Sequence, residues 1–186
     1  TGISRFSRVG VFSSMNNLDD LTMDPAFASA LGITENELRR DFAEYIADFA
    51  AQENGTPEAL LEKIRKWYNG FCFVEKAESV YNPFSTIQLL KKQRFANYWF
   101  ETGTPTFLID LVKERELEFQ SFDELEVTEL AFSTYEIERL ELIPLLFQAG
   151  YLTIKDYRQD EFGSVYTLSY PNLEVRNAFL AYLLNA

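Results

Sequence analysis

Tyr151-Leu152-Thr153-Ile154-Lys155 and Val165-Tyr166-Thr167-Leu168-Ser169-Tyr170 decide the fold of the second half of this chain. Both segments alternate, which puts Leu152 and Ile154 on one face of a strand and Tyr166, Leu168 and Tyr170 on the matching face of the next. Residues 158–163 read as the turn between them. A helical pattern over 142–149 precedes the pair, with Pro144 tolerated only in its first turn and Gly150 closing it. Pro171-Asn172 then leads into a last helix in which Val175, Phe179, Tyr182 and Leu183 recur at helical spacing. Helix, hairpin, helix is the outline of a winged-helix-like unit. It is expected over 114–186, with the acidic stretch 114–129 as the connector that enters it.

Upstream the period changes to that of helices. Thr34 with Glu37 forms a capping box, and Leu38, Phe42, Tyr45, Ile46 and Phe49 predict one helix over about 34–52. Asn54-Gly55-Thr56 is a loop and cap. Thr56-Pro57 is preorganised to start the next helix, whose stripe is Leu60, Leu61, Ile64 and Trp67 and whose stop is Asn69-Gly70. Phe71-Cys72-Phe73-Val74 and Val80-Tyr81 read equally as a short hairpin or as buried coil, because runs this short do not separate the two. Asn82-Pro83 restarts helix with Phe84, Ile87 and Leu90 inward, and Lys91-Lys92-Gln93-Arg94 is its exposed, dipole-favoured end. Thr102-Gly103-Thr104-Pro105 is a stop, cap and restart before Phe107, Leu108, Leu111 and Val112. The fold class expected is therefore mainly α with a small β-hairpin. Residues 1–24 form a strand exit and polar loop, 25–113 a helical bundle, and 114–186 the winged-helix-like unit.

Composition narrows the chemistry. With 186 residues, 47% hydrophobic and 16% aromatic, there is enough apolar material for a real core. No apolar run approaches the roughly 20 residues of a membrane helix, and no signal segment leads the chain, so a soluble cytoplasmic protein is expected. Cys72 is the sole cysteine, which rules out an intrachain disulfide. The absence of His excludes His-dependent nucleophiles and His-based zinc sites within these residues. Residues 114–186 hold 5 basic against 14 acidic side chains, a surface that repels phosphate backbones, so direct nucleic-acid binding is not expected. The carboxylates read as a solvated face rather than catalytic pairs. There is no Gly-rich phosphate loop ending in Lys-Ser or Lys-Thr.

Six segments in order carry a resemblance: Thr1-Gly2-Ile3-Ser4-Arg5-Phe6-Ser7, Trp67-Tyr68-Asn69-Gly70-Phe71, Tyr81-Asn82-Pro83-Phe84-Ser85, Tyr98-Trp99 with Thr102-Gly103-Thr104-Pro105, Gly150-Tyr151-Leu152-Thr153, and Tyr170-Pro171-Asn172-Leu173-Glu174-Val175-Arg176. Together they resemble a bacterial AAA-ATPase-like family, often fused to a PD-(D/E)XK-type nuclease domain. The resemblance implies a P-loop ATPase core ahead of Thr1, ATP and magnesium as cofactors of the full-length protein, and a nuclease domain after Ala186. It implies that the helical part is a lid over the nucleotide and that the winged-helix-like unit relays its movement. Thr1, Ser4 or Arg5 would then sense the γ-phosphate, the alternative being a plain strand-to-loop junction. Pro83 or Pro105 would contact adenine, against the simpler reading of first-turn prolines. Trp67, Tyr68, Tyr98 and Trp99 read as packing rather than a base-stacking platform. The sequence departs from the family's complete pattern in having no phosphate loop, no magnesium-binding acid and no PD-(D/E)XK constellation, so no catalytic residue is assigned and no cofactor is expected within these residues. The competing reading is a stand-alone winged-helix interaction or DNA-binding module, which the charge disfavours. An enzyme built on carboxylates alone would need a cleft that this pattern does not offer.

Overall fold

Thr34 opens the first helix by reciprocal capping. Its Oγ1 accepts from the Glu37 backbone N–H at 3.2 Å, and the Glu37 carboxylate accepts from the Thr34 N–H at 2.9 Å. The single predicted helix is two, α1 (Glu35–Asp41) and α2 (Ala43–Gln52), because Phe42 leaves helical dihedrals at φ −117°, ψ 16°. The change in direction buries Leu38, Ile46 and Phe49 but turns Tyr45 outward to 58% exposure, against its expected place in the stripe. The computed structural model describes residues 21, 23–101, 122–128, 142–161 and 163–185. Thr1, Ser4, Arg5 and Pro105 lie outside the described residues, as do the helix expected after Pro105 and most of the connector.

Helix α3 (Pro57–Tyr68) starts as expected, with Thr56 Oγ1 accepting from Ala59 N–H at 3.3 Å. It buries Leu60, Leu61, Ile64 and Tyr68, with Trp67 half-buried beside them. Helix α4 (Pro83–Lys92) is capped by Asn82, whose Oδ1 accepts from Ser85 N–H at 3.1 Å. Its inward face is not the predicted one. Ser85, Thr86, Leu89 and Leu90 are buried, whereas Phe84 and Ile87 are 42% and 47% exposed. Of the expected stripe only Leu90 holds, because the helix turns Ser85 inward, where its hydroxyl donates to the buried Glu174 carboxylate. Lys91, Lys92 and Arg94 are exposed at its end, as expected. The two short runs in 71–81 pair through a single antiparallel bridge between Phe71 and Val80, with coil between them, and Tyr81 makes another bridge with Ile33. Helix α5 (Tyr98–Glu101) follows.

The second half adds helix α6 (Leu142–Gln148), a three-stranded antiparallel sheet, and helix α7 (Leu173–Asn185). The strands are β1 (Leu125–Thr128), β2 (Thr153–Asp160) and β3 (Gly163–Ser169), in the order β1-β3-β2. Strand β1 falls inside the stretch expected to be connector. Leu125 and Val127 point to the core and Glu126 and Thr128 to solvent, a period-two pattern hidden by the acidic composition around it. The hairpin is longer than expected, with β2 continuing through Arg158 until Asp160 pairs with Gly163. The protein is thus mainly α with a small antiparallel sheet. Among the described residues no helix is long and apolar enough to cross a membrane.

Two apolar clusters hold these elements. One contains Leu38, Phe49, Ile64, Tyr68, Tyr81 and Leu89; the other contains Leu146, Tyr151, Leu168, Val175 and Phe179 together with Phe71 and Val80 from the first half. The face of α4 can be tested by truncation. Leu89→Ala should cost about 2–5 kcal/mol through lost burial and a residual cavity, whereas Ile87→Ala should stay within about 0.5 kcal/mol. Urea denaturation followed by circular dichroism measures both, and equal losses would contradict the face described.

Candidate functional site: the joint around Glu174

Asn69 and Gly70 end α3, and the geometry of that stop makes the first contact with the second half. Gly70 has φ +100°, and a Cβ built on it would sit 2.0 Å from the Pro171 carbonyl oxygen. Only a glycine lets the two backbones approach so closely. The Asn172 side chain closes the same contact, donating from Nδ2 to the Asn69 carbonyl at 2.8 Å while its Oδ1 caps α7 by accepting from Val175 N–H at 3.1 Å. Lys155 is the extra residue of a bulge between the pairs Ile154–Leu168 and Asp156–Thr167. Its Nζ donates to the Pro171 carbonyl at 2.9 Å.

One residue further on, Cys72 is stitched to β2. Thr153, fully buried, accepts from Cys72 N–H at 2.6 Å and donates to the Cys72 carbonyl at 2.7 Å, which also receives Ile154 N–H at 2.9 Å. The Trp99 ring packs on Tyr151, with centroids 5.1 Å apart, and edge-on to Phe71 at 6.4 Å. Glu174 completes the joint. It is fully buried in the first turn of α7, and its Oε1 accepts from Ser85 Oγ at 3.0 Å and from Trp99 N–H at 2.9 Å. Burial pushes its carboxyl up to about 7, against the lowering effect of those hydrogen bonds.

Every resemblance-bearing segment that falls within the described residues therefore supplies a member of this joint: Asn69-Gly70, Ser85, Trp99, Thr153, and Asn172 with Glu174. Tyr68 and Tyr98 are buried and Trp67 and Trp99 half-buried, in keeping with the packing reading of these rings. Pro83 stands half-buried at the first position of α4, two residues from Ser85. Glu174 and Lys155 were not singled out from the sequence. Glu174 sits within an anchor segment, so its order in the chain was the available signal. Lys155 carried none, because a bulge is not written in the alternation. Among the described residues no group of three or more His, Cys, Asp or Glu side chains is arranged to hold a metal ion.

No family model matches this chain, and no solved structure matches it. An uncharacterized protein encoded in the vnfD 5' region of Azotobacter chroococcum mcd 1 is 39% identical over 176 residues, which are 95% of this chain and 32% of that relative. The chain spans about a third of that protein's length.

The joint predicts two costs. Gly70→Ala should lose more than about 2 kcal/mol, since both the positive φ and the Pro171 carbonyl oppose a methyl group. Thr153→Val keeps the shape but strips the donor and acceptor facing Cys72, and should cost about 1–3 kcal/mol. Thermal unfolding of the two variants measures these losses, and an unchanged midpoint for Gly70→Ala would refute the close approach.

Proposed function

We propose that this chain is the lid and winged-helix-like part of an AAA-like ATPase, transmitting nucleotide state to a fused or partner effector without a complete active site of its own. The observation that carries the reading is the convergence of the ordered anchor segments on one buried joint. Residues dispersed from 69 to 174 meet where the helical part touches the sheet part, which is what a relay between two moving parts requires. The winged-helix-like assignment draws support from the order β1, α6, β2, β3, α7, with β1 pairing on β3 beside the hairpin. It also accords with the chain's covering about a third of its relative, which leaves room in such a protein for a nucleotide-binding core and a nuclease domain.

On this reading ATP and magnesium bind a core supplied by the full-length protein. Thr1, Ser4 or Arg5 approaches the γ-phosphate, and Pro83 or Pro105 lies against adenine. Closing of the helical part over the nucleotide would load the joint through α4 and α5, whose Ser85 and Trp99 both hold Glu174. Isothermal titration calorimetry with ATP and magnesium tests the assignment. This chain alone should show no binding, and a longer native chain carrying a phosphate loop should bind stoichiometrically. Tight binding by this chain alone, or a native protein with no phosphate loop, would overturn it. Low-micromolar binding of duplex DNA with a steep salt dependence would favour the interaction-module reading instead.

A further inference from the structure

The joint also contains a buried charge problem that the relay does not need. Glu174 has no exposed surface, its carboxylate takes hydrogen bonds only from neutral donors, Ser85 Oγ and the Trp99 and Tyr98 backbone N–H groups, and among the described residues its Oε2 has no hydrogen-bond partner. An ionised carboxylate offers about four acceptor sites, and leaving one oxygen bare away from water is costly.

Among the described residues, the groups facing it do not supply a compensating cation. From α3 comes the Tyr68 phenol, which donates to the Ala96 carbonyl at 2.9 Å and is itself pushed up by burial and, in smaller part, by Glu174. From α4 comes the Ser85 hydroxyl. From α5 come the backbone N–H groups of Tyr98 and Trp99. On α7 itself Arg176 is turned to Asp123 at 3.4 Å, and on β2 the Lys155 ammonium is committed to the Pro171 carbonyl. Glu174 lies in the first turn of a helix, where the dipole favours the anion, yet burial outweighs this.

We propose that Glu174 is a proton-operated latch: protonated, it locks the last helix against α4 and α5, and ionised, it loosens this joint and draws water in. The device is independent of the nucleotide reading, since it rests on residues of this chain alone. Its direction follows from linkage. A carboxyl raised from 4.5 to about 7 on folding binds its proton more tightly in the folded state. Its stabilising contribution is complete below the unfolded value and is lost as pH rises through about 7.

Hydrogen exchange at the Trp99 amide, which donates to Glu174, reads the latch directly. Between about pH 6 and 8 the wild-type rate should rise about tenfold beyond the intrinsic base-catalysed increase, roughly one unit of protonation linkage. In Glu174→Gln, which stays neutral, only the intrinsic increase should remain. Identical profiles in the two proteins would overturn the proposal. Should the variant fail to fold, infrared titration of the wild-type carboxyl decides the matter alone: a midpoint near 7 supports the latch, and one near 4.5 overturns it.

Discussion

A buried backbone group must find a partner, and the architecture of this chain turns on how that rule is met where its two halves touch. After α3 the chain passes along the edge of the sheet with its amides facing inward. The Cys72 N–H and carbonyl are satisfied by one threonine hydroxyl and one strand amide, and the Asn69 carbonyl by one side-chain amide. Each of these partners lies more than 80 residues away in sequence, so the halves cannot part without stranding several polar groups at once. That makes the joint an all-or-none element. Apolar packing of Phe71, Val80 and Trp99 against the second cluster adds area, but the hydrogen bonds set the register.

Two carboxylates show how differently the same group is treated on either side. Glu35, at the start of α1, takes hydrogen bonds from Arg39 at 2.7 Å, from Arg65 at 2.9 Å and from the Tyr81 hydroxyl. Burial pushes it up, and the bonds from Tyr81, Arg65 and Arg39 more than reverse that, leaving it below the usual carboxylate range. It is a fixed charge that ties α1 to α3 and to the segment before α4. Glu174 has only neutral donors and deeper burial, so its shift has the opposite sign. Cations, more than hydrogen-bond number, separate a permanent anchor from a group poised to change state.

How much of this was legible follows from which forces act locally. Caps were readable because they are local chemistry: Thr34 with Glu37, Thr56 with Pro57, and Asn82 with Pro83 all begin helices where their spacing says they should. The inward face of β3 was readable because Tyr166, Leu168 and Tyr170 alternate about one core, whereas Tyr151, Leu152, Thr153 and Ile154 are all buried, Thr153 through its bonds to Cys72. The inward face of α4 was not, because apolarity favours Phe84 and Ile87 while the partner across the interface is a carboxylate that favours Ser85. Strand β1 was not, since four residues in an acidic stretch gain strand form from the edge of β3 rather than from their own propensity. Nor was the turn at Phe42, where an apolar residue at helical spacing leaves helical dihedrals.

The anchor segments now have a physical meaning that their order alone did not carry. Gly70 is there because Pro171 leaves no space for a side chain, Asn172 because it serves a cap and a distant carbonyl together, and Ser85 because a hydroxyl must meet Glu174. Such residues do no chemistry on a substrate, yet each is constrained by a partner in the other half. A protein that only needed the halves to adhere could fill this space with leucine and gain stability, as buried polar clusters generally permit. Keeping an under-compensated carboxylate and a backbone approach of glycine-only closeness trades strength for specificity at the joint. Those are the properties of a contact that forms in one geometry.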